Sequence, residues 1–133
     1  MRFHITPVAK PRMTQRDKLP ARVKPVRPVV AKYRAFADEC RYKIGNDFDL
    51  NYCFIVFRIP MPRSWTEDKK ARMCGQPHQS KPDLSNLLKA LEDALYSKRY
   101  TGRSEDDAAV HAITGLHKLW SDKGSISIIK HHQ

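Results

Sequence analysis

Residues 83–96 read Asp-Leu-Ser-Asn-Leu-Leu-Lys-Ala-Leu-Glu-Asp-Ala-Leu-Tyr. The apolar residues of this stretch recur at steps of three and four, which places them on one side of a helix. The opposite side carries the polar residues, namely Ser85, Asn86, Lys89, Glu92, Asp93 and Tyr96. We therefore predict an amphipathic helix whose apolar side packs into a core, with Asp83 at or near its N-cap.

Working outward, residues 50–59 are β-branched and aromatic with few polar breaks, which predicts a central strand covered on both faces. Residues 1–8 predict a short strand, and residues 29–44 predict a helix that Gly45-Asn46 ends. Further elements are expected as follows: a short helix over 64–73 opened by a Ser-x-x-Glu capping box, and strands over 110–120 and 125–130 joined in a hairpin by Asp122-Lys123-Gly124. The 133 residues are enough for one domain, spanning 1–133.

Composition narrows the class of protein. Lys and Arg number 25 against 14 Asp and Glu, and this net charge of +11 favours a polyanion such as nucleic acid, or an anionic membrane surface. A hydrophobic fraction of 41% argues against disorder, and the sequence has no apolar run long enough to span a membrane. Three cysteines without a Cys-x-x-Cys pair argue against a disulfide framework or zinc site and favour a reducing cytoplasm.

Charge is segregated along the chain. Residues 9–28 hold seven basic residues against the single acid Asp17, and their four prolines oppose regular pairing, so we predict a long basic loop. We expect this loop to contact DNA phosphates through the following residues: Lys10, Arg12, Arg16 and Lys18. Because the basic residues lie in a proline-broken loop and not on an amphipathic helix, the membrane is the weaker alternative.

Six of the 14 acids lie between residues 83 and 107, which indicates a divalent metal site. Mg²⁺ takes carboxylate oxygens and retains waters, and it can activate water at a phosphodiester. Asp83 precedes the helix and Asp106-Asp107 precede a predicted strand, where the two could face one metal. Lys89, on the polar side of the helix, could then meet the scissile phosphate.

Structural alternatives remain open for the same residues. Asp83 alone fits a simple N-cap, Lys89 and Asp93 fit an exposed i,i+4 pair, and residues 105–107 fit a charged turn. His78 and His111 could be metal ligands, although isolated histidines usually are not. Trp65 and Trp120 fit a core or an interface better than a base-stacking surface.

The motif Lys81-Pro82-Asp83-Leu84-Ser85-Asn86-Leu87-Leu88-Lys89, followed by Glu92-Asp93-Ala94-Leu95 and by Asp106-Asp107-x-x-Val110, resembles the RusA family of Holliday-junction resolvases. The stretches at 59–65, 75–78 and 10–14 are similar to phage and prophage members, so the resemblance runs from about residue 5 to 130. It implies a small α/β (α+β) domain with a mixed sheet packed with helices, a two-fold homodimer, and Mg²⁺-dependent cutting of four-way DNA junctions in recombination and repair. Mn²⁺ would be a substitute metal, and no small-molecule cofactor and no membrane partner are implied.

The resemblance also implies roles for single residues. Metal-binding roles fall on Asp83 and Asp107 with Asp106 adjacent, a catalytic role falls on Lys89, and Lys81 joins the DNA-binding residues. The cell compartment would be the cytoplasm of a bacterium or of a phage-infected host. The family's second motif aspartate is Ser85 here, which removes a carboxylate. Auxiliary roles are therefore expected for Ser85, Asn86 and Glu92, and two alternatives stay open: a DNA-binding protein that cuts poorly, and a basic protein that binds RNA or a protein through other residues.

Overall fold

The computed structural model describes residues 1–14, 17 and 25–131. In chain order its elements are β1 (Arg2–Phe3), α1 (Pro28–Lys43), β2 (Cys53–Pro60), α2 (Glu67–Met73), α3 (Leu84–Tyr96), α4 (Lys98–Thr101), a 3-10 turn (Asp107–Ala109), β3 (Ile113–Ser121) and β4 (Ser125–Lys130). The strands form one mixed sheet in the order β1-β4-β2-β3, and the helices pack against it. The predicted α+β class is confirmed.

Strand β2 occupies the middle of the sheet, as its apolar sequence predicts. It runs parallel to β3 and antiparallel to β4. One face of β2 is fully buried through Cys53, Ile55 and Phe57, while the alternate side chains are only half-buried. The expectation that both faces are covered is therefore wrong for the second face, because all the core-forming helices contribute to one side.

The predicted hairpin of the last two strands is wrong. Strands β3 and β4 do not pair with each other, since β2 lies between them: Cys53 aligns with both Ile113 and Lys130. The link of residues 122–124 crosses the end of β2 and so spans two strand spacings, about 10 Å, which a short extended link can reach. The most apolar strand takes the central position because there it pairs along both edges.

Two other local predictions need correction. Strand β1 is only two residues long, because the amide of Ile5 turns back to donate to the Phe3 carbonyl (2.9 Å). Helix α2 begins later than the capping box at Ser64 suggests: its N-cap is Thr66, whose hydroxyl accepts from the amide of Lys69 at 3.2 Å.

The core lies between the sheet and helices α1 and α3. Helix α3 buries its apolar side as predicted, including Leu87, Leu91 and Leu95. Tyr96 is also buried, although its position predicts the polar side, because its hydroxyl accepts a hydrogen bond from the amide of Leu50 at 3.0 Å. In the part of the chain described, no helix has the length and apolarity needed to cross a membrane.

Candidate metal and nucleic-acid site

Lys89 is the centre of a chain of charged side chains. Its Nζ lies 2.8 Å from Oδ2 of Asp107 and 3.4 Å from Oδ1 of Asp93. Asp93 is bonded in turn by Nζ of Lys10 through its other oxygen. This series of ion pairs, Lys10–Asp93–Lys89–Asp107, therefore connects the N-terminal segment, α3 and the 3-10 turn.

The charges of this cluster shift one another's titration. The hydrogen bond from Lys89 lowers the pKa of Asp107, and the same bond raises the pKa of Lys89. Glu92 is partly buried, and burial together with the nearby charges of Asp107 and Asp93 raises its pKa. The carboxylates of Asp107 and Asp93 thus contact the Lys89 ammonium, while Glu92 forms no ion pair with any described residue.

Asp83 occupies the N-cap position of α3 without capping the helix through its side chain. Its Oδ1 instead accepts a hydrogen bond from Nζ of Lys81 at 2.9 Å, and both side chains are exposed. The alternative that Asp83 serves only as an N-cap is therefore not supported by the geometry. Its carboxylate is paired at the surface with an exposed lysine, and such a pair is weak enough for a metal cation to replace the lysine.

Lys118 holds the segment that leads into Asp83. Its Nζ donates to the carbonyl oxygens of Ser80 (2.7 Å) and Pro82 (2.6 Å). Lys118 lies on β3 between Leu116 and Trp120. Because successive side chains of a strand point to opposite faces, Lys118 lies on the face that the helices cover. Sequence reasoning missed this residue, although a lysine at an inward-facing position of a strand is the signal that could have found it.

Asp106 and Asp107 have different hydrogen-bond partners. Asp106 caps the 3-10 turn, since its Oδ1 accepts from the amide of Ala108 at 3.0 Å. Asp107, the first residue of that turn, faces Lys89. The charged-turn interpretation thus describes Asp106, while Asp107 reaches across to the helix; a metal-binding role for either stays a prediction.

Asp83 and Asp107 have different lysine partners. Asp83 lies six residues before Lys89, which is about 9 Å along a helix axis. Ser85 is exposed on the first turn of α3, and its hydroxyl forms no hydrogen bond with any residue that the structure describes. Asn86 is half-buried, and its backbone amide donates to the backbone carbonyl of Asp83 at 3.1 Å.

The carboxylates fit Mg²⁺ by their chemistry. Across residues 1–14, 17 and 25–131, no three His, Cys, Asp or Glu residues are gathered as a complete metal cage. Mg²⁺ does not need one, because it binds through one or two protein carboxylates and keeps waters. Asp107 and Glu92 are hard oxygen donors whose mutual repulsion a divalent cation would relieve.

The predicted DNA-binding residues are placed unevenly. Lys10 is ion-paired with Asp93, and so it belongs to the charged cluster in this structure. Arg12 is exposed, while its carbonyl accepts from Arg27 (2.8 Å), and Arg27 is in turn paired with Asp17 (2.6 Å). Arg16 and Lys18, and most of the predicted loop at 9–28, lie outside the described residues.

Comparison with known proteins gives one match. The family model described as "Endodeoxyribonuclease RusA" matches residues 3–129. No curated protein and no solved structure matches the chain.

Proposed function

Because the chain belongs to the RusA endodeoxyribonuclease family, we propose that it is a Mg²⁺-dependent endonuclease that cuts four-way DNA junctions by phosphodiester hydrolysis, in recombination and repair. One structural observation carries the proposal beyond the family. The Lys89–Asp107 contact brings together the helix motif and the Asp-Asp motif, which are separate in sequence. Two motifs that share a charged contact are expected to serve one site.

The acidic residues would hold the metal. Asp107 and Asp83 are its proposed ligands, with Asp106 adjacent and Glu92 as an auxiliary carboxylate; when bound, Mg²⁺ supplies a polarised water and positive charge at the phosphate. Mn²⁺ is the proposed substitute. Lys89 is protonated at neutral pH, as an ordinary lysine is, and the hydrogen bond to Asp107 raises its pKa further. Its ammonium can therefore stabilise negative charge that develops on the phosphate or on the leaving oxygen.

The basic residues would hold the DNA arms. A net charge of +11 favours binding to phosphates, and Arg12, Arg16, Lys18 and Lys81 are the proposed contacts. Lys10 is proposed to contact phosphate once it leaves Asp93. A two-fold homodimer would place one site on each of two opposed strands of the junction. The proposed place of action is the cytoplasm of a bacterium or of a phage-infected cell.

A second function is favoured by Ser85. A neutral hydroxyl, exposed at the position of the family's second aspartate, leaves the first turn of α3 with Asp83 as its carboxylate. With weaker metal binding, the protein would bind junction or duplex DNA and cut poorly or not at all.

Cleavage of a synthetic four-way junction, with and without Mg²⁺, tests the proposal against this alternative. We expect nicking that needs Mg²⁺ and a strong preference for the junction over duplex DNA and RNA at fixed salt. Tight, salt-dependent binding without nicking in Mg²⁺ or Mn²⁺ would support the binding protein instead. Equal binding of junction, duplex and RNA would contradict both.

A further inference from the structure

A polar pocket lies at the opposite end of β2 from the Lys89 cluster. The 3-10 turn that carries Asp107 is fastened near the start of β2, where Asn51 Nδ2 donates to the Ala109 carbonyl at 3.2 Å. The pocket instead adjoins Arg58, near the end of β2, and has a volume of about 210 Å³. We call it the Arg58 pocket; it is lined by residues that include Arg2, Arg58, Lys123, Asp122 and Ser125.

The Arg58 pocket carries uncompensated positive charge. Arg2, Arg58 and Lys123 line it against the single carboxylate of Asp122, and within the described residues none of these three cations forms an ion pair. Burial and, after it, the positive charge of Arg2 lower the pKa of Arg58. Three cations that are held together with a single carboxylate leave a net positive charge, which a bound anion stabilises.

The polar groups of the pocket are also prepared for a ligand. Nη1 of Arg58 donates to Oγ of Ser127 at 2.6 Å, which fixes the guanidinium. The other N–H groups of the guanidinium take no part in that bond and can donate to a ligand. Ser125, the partner of Arg58 across the β2–β4 register, is only 4% exposed, and its hydroxyl has no hydrogen-bond partner. A buried hydroxyl without a partner is uncommon in folded proteins, and a ligand oxygen would satisfy it.

We propose that the Arg58 pocket binds a phosphate group, either from a nucleic-acid backbone or from free phosphate. The three cations come from three separate segments of the fold, namely β1, β2 and the β3–β4 link. That arrangement suits an anion with several charged oxygens better than a planar carboxylate, which a single arginine fork already matches. The inference does not depend on the nuclease activity.

Titration with inorganic phosphate, followed by NMR of backbone amides, tests the site directly. We expect saturating shifts at the amides of Lys123, Gly124 and Ser125, and none with sodium chloride at equal ionic strength. R58Q should weaken phosphate binding at least tenfold, and S125A, which removes only the hydroxyl, should weaken it severalfold. R63Q is the matched control, since Arg63 is exposed outside the pocket, and it should bind phosphate like the parent protein.

Shifts that do not saturate, or that chloride reproduces, would overturn the proposal. So would phosphate binding that both R58Q and S125A leave intact while their amide spectra remain those of the folded protein. Neither result would bear on DNA cleavage at the site that contains Lys89, so the two proposals can fail separately.

The salt dependence of junction binding identifies the source of the phosphate. If a DNA backbone phosphate occupies the pocket, R58Q should reduce the slope of log Kd against log salt by about one. If R58Q leaves that slope unchanged while it weakens phosphate binding, the ligand is free phosphate. Either result supports a phosphate site, because the titration with inorganic phosphate has already tested the pocket.

Discussion

Nζ of Lys89 lies 2.8 Å from Oδ2 of Asp107, a residue 18 positions further along the chain. Helix α3 supplies the ammonium and the 3-10 turn supplies the carboxylate. This contact joins the helix motif and the Asp-Asp motif into one cluster. It also makes the pKa of each residue depend on the charge of the other.

Lys89→Met should abolish most cleavage and spare junction binding. Removing the ammonium takes away the group proposed to stabilise developing charge, a contribution of about 100-fold or more in rate. Single-turnover cleavage and anisotropy on the same junction measure the two properties. Lys98→Met is a matched control, because Lys98 is an exposed lysine on α4 outside the cluster. Cleavage by K89M at the parent rate would remove Lys89 from the chemistry.

Asp93→Asn should lower the cleavage rate with little change in junction affinity. Asp93 bridges Lys10 and Lys89, so its loss frees both lysines and lets Lys89 leave the geometry that Asp107 shares. A positioning role predicts that D93E, which keeps the charge, recovers most of the rate. Asp38→Asn is the control, since Asp38 forms an exposed helix pair with Arg41 on α1. Equal rates for D93N and D93E would exclude the positioning role.

Ser85→Asp should tighten metal binding and raise cleavage. A carboxylate next to Asp83 on the first turn of α3 adds the kind of oxygen ligand that Mg²⁺ prefers. We expect the Mg²⁺ concentration for half-maximal cleavage to fall by about tenfold, which corresponds to about 1.4 kcal/mol. Ser85→Asn introduces a neutral side chain of nearly the same size as aspartate and should leave that concentration unchanged. An identical Mg²⁺ requirement in S85D would show that position 85 does not face the metal.

Lys118→Met should loosen the segment before Asp83. Its ammonium makes two hydrogen bonds to the carbonyls of Ser80 and Pro82, and hydrogen bonds of charged groups contribute about 1.5–3 kcal/mol each. Urea unfolding should therefore show a loss of about 1–3 kcal/mol, smaller than the sum because the freed carbonyls reach water. Lys118→Arg retains donors and should recover part of the loss. A stability equal to that of the parent protein would contradict the anchoring role.

Acid should weaken the Lys89–Asp107 pair in a defined direction. The bond to Lys89 holds the pKa of Asp107 below its ordinary value of 3.8. The pair therefore stabilises the fold above about pH 4 and loses that contribution as the pH falls through the lowered pKa. Unfolding free energies of D107N should fall less steeply below pH 4 than those of the parent protein. Asp47→Asn, an exposed acid outside the cluster, should keep the parent slope; identical slopes for D107N and the parent would contradict the pairing.

Local patterns predicted the helices well and the strand order poorly. The period of the leucines defines α3 to within a residue, because a helix depends on contacts between residues three and four apart. The neighbours of β2 depend on residues far away in sequence, so the turn signal at residues 122–124 wrongly indicated a hairpin. At residues 64–66 two cap-forming side chains compete, and the structure selects Thr66.

The site shows the same division. The sequence motifs identified Lys89 and Asp107 as partners in one reaction, and the structure places them in contact. The roles of Asp93 and Lys118 depend on Lys10 and on the carbonyls near residue 82, which only the folded chain brings to them. Residues that bind backbone carbonyls carry no side-chain pattern, so local reasoning could not pair Lys118 with its acceptors.

The most direct measurement is a side-by-side assay of cleavage and binding on one synthetic four-way junction in Mg²⁺, with D83N and D107N against the parent protein. If the two carboxylates hold the metal, both variants should lose cleavage and bind the junction at least as tightly as the parent protein, because each removes a negative charge near the DNA. Undiminished cutting by both variants would contradict the assignment of the site.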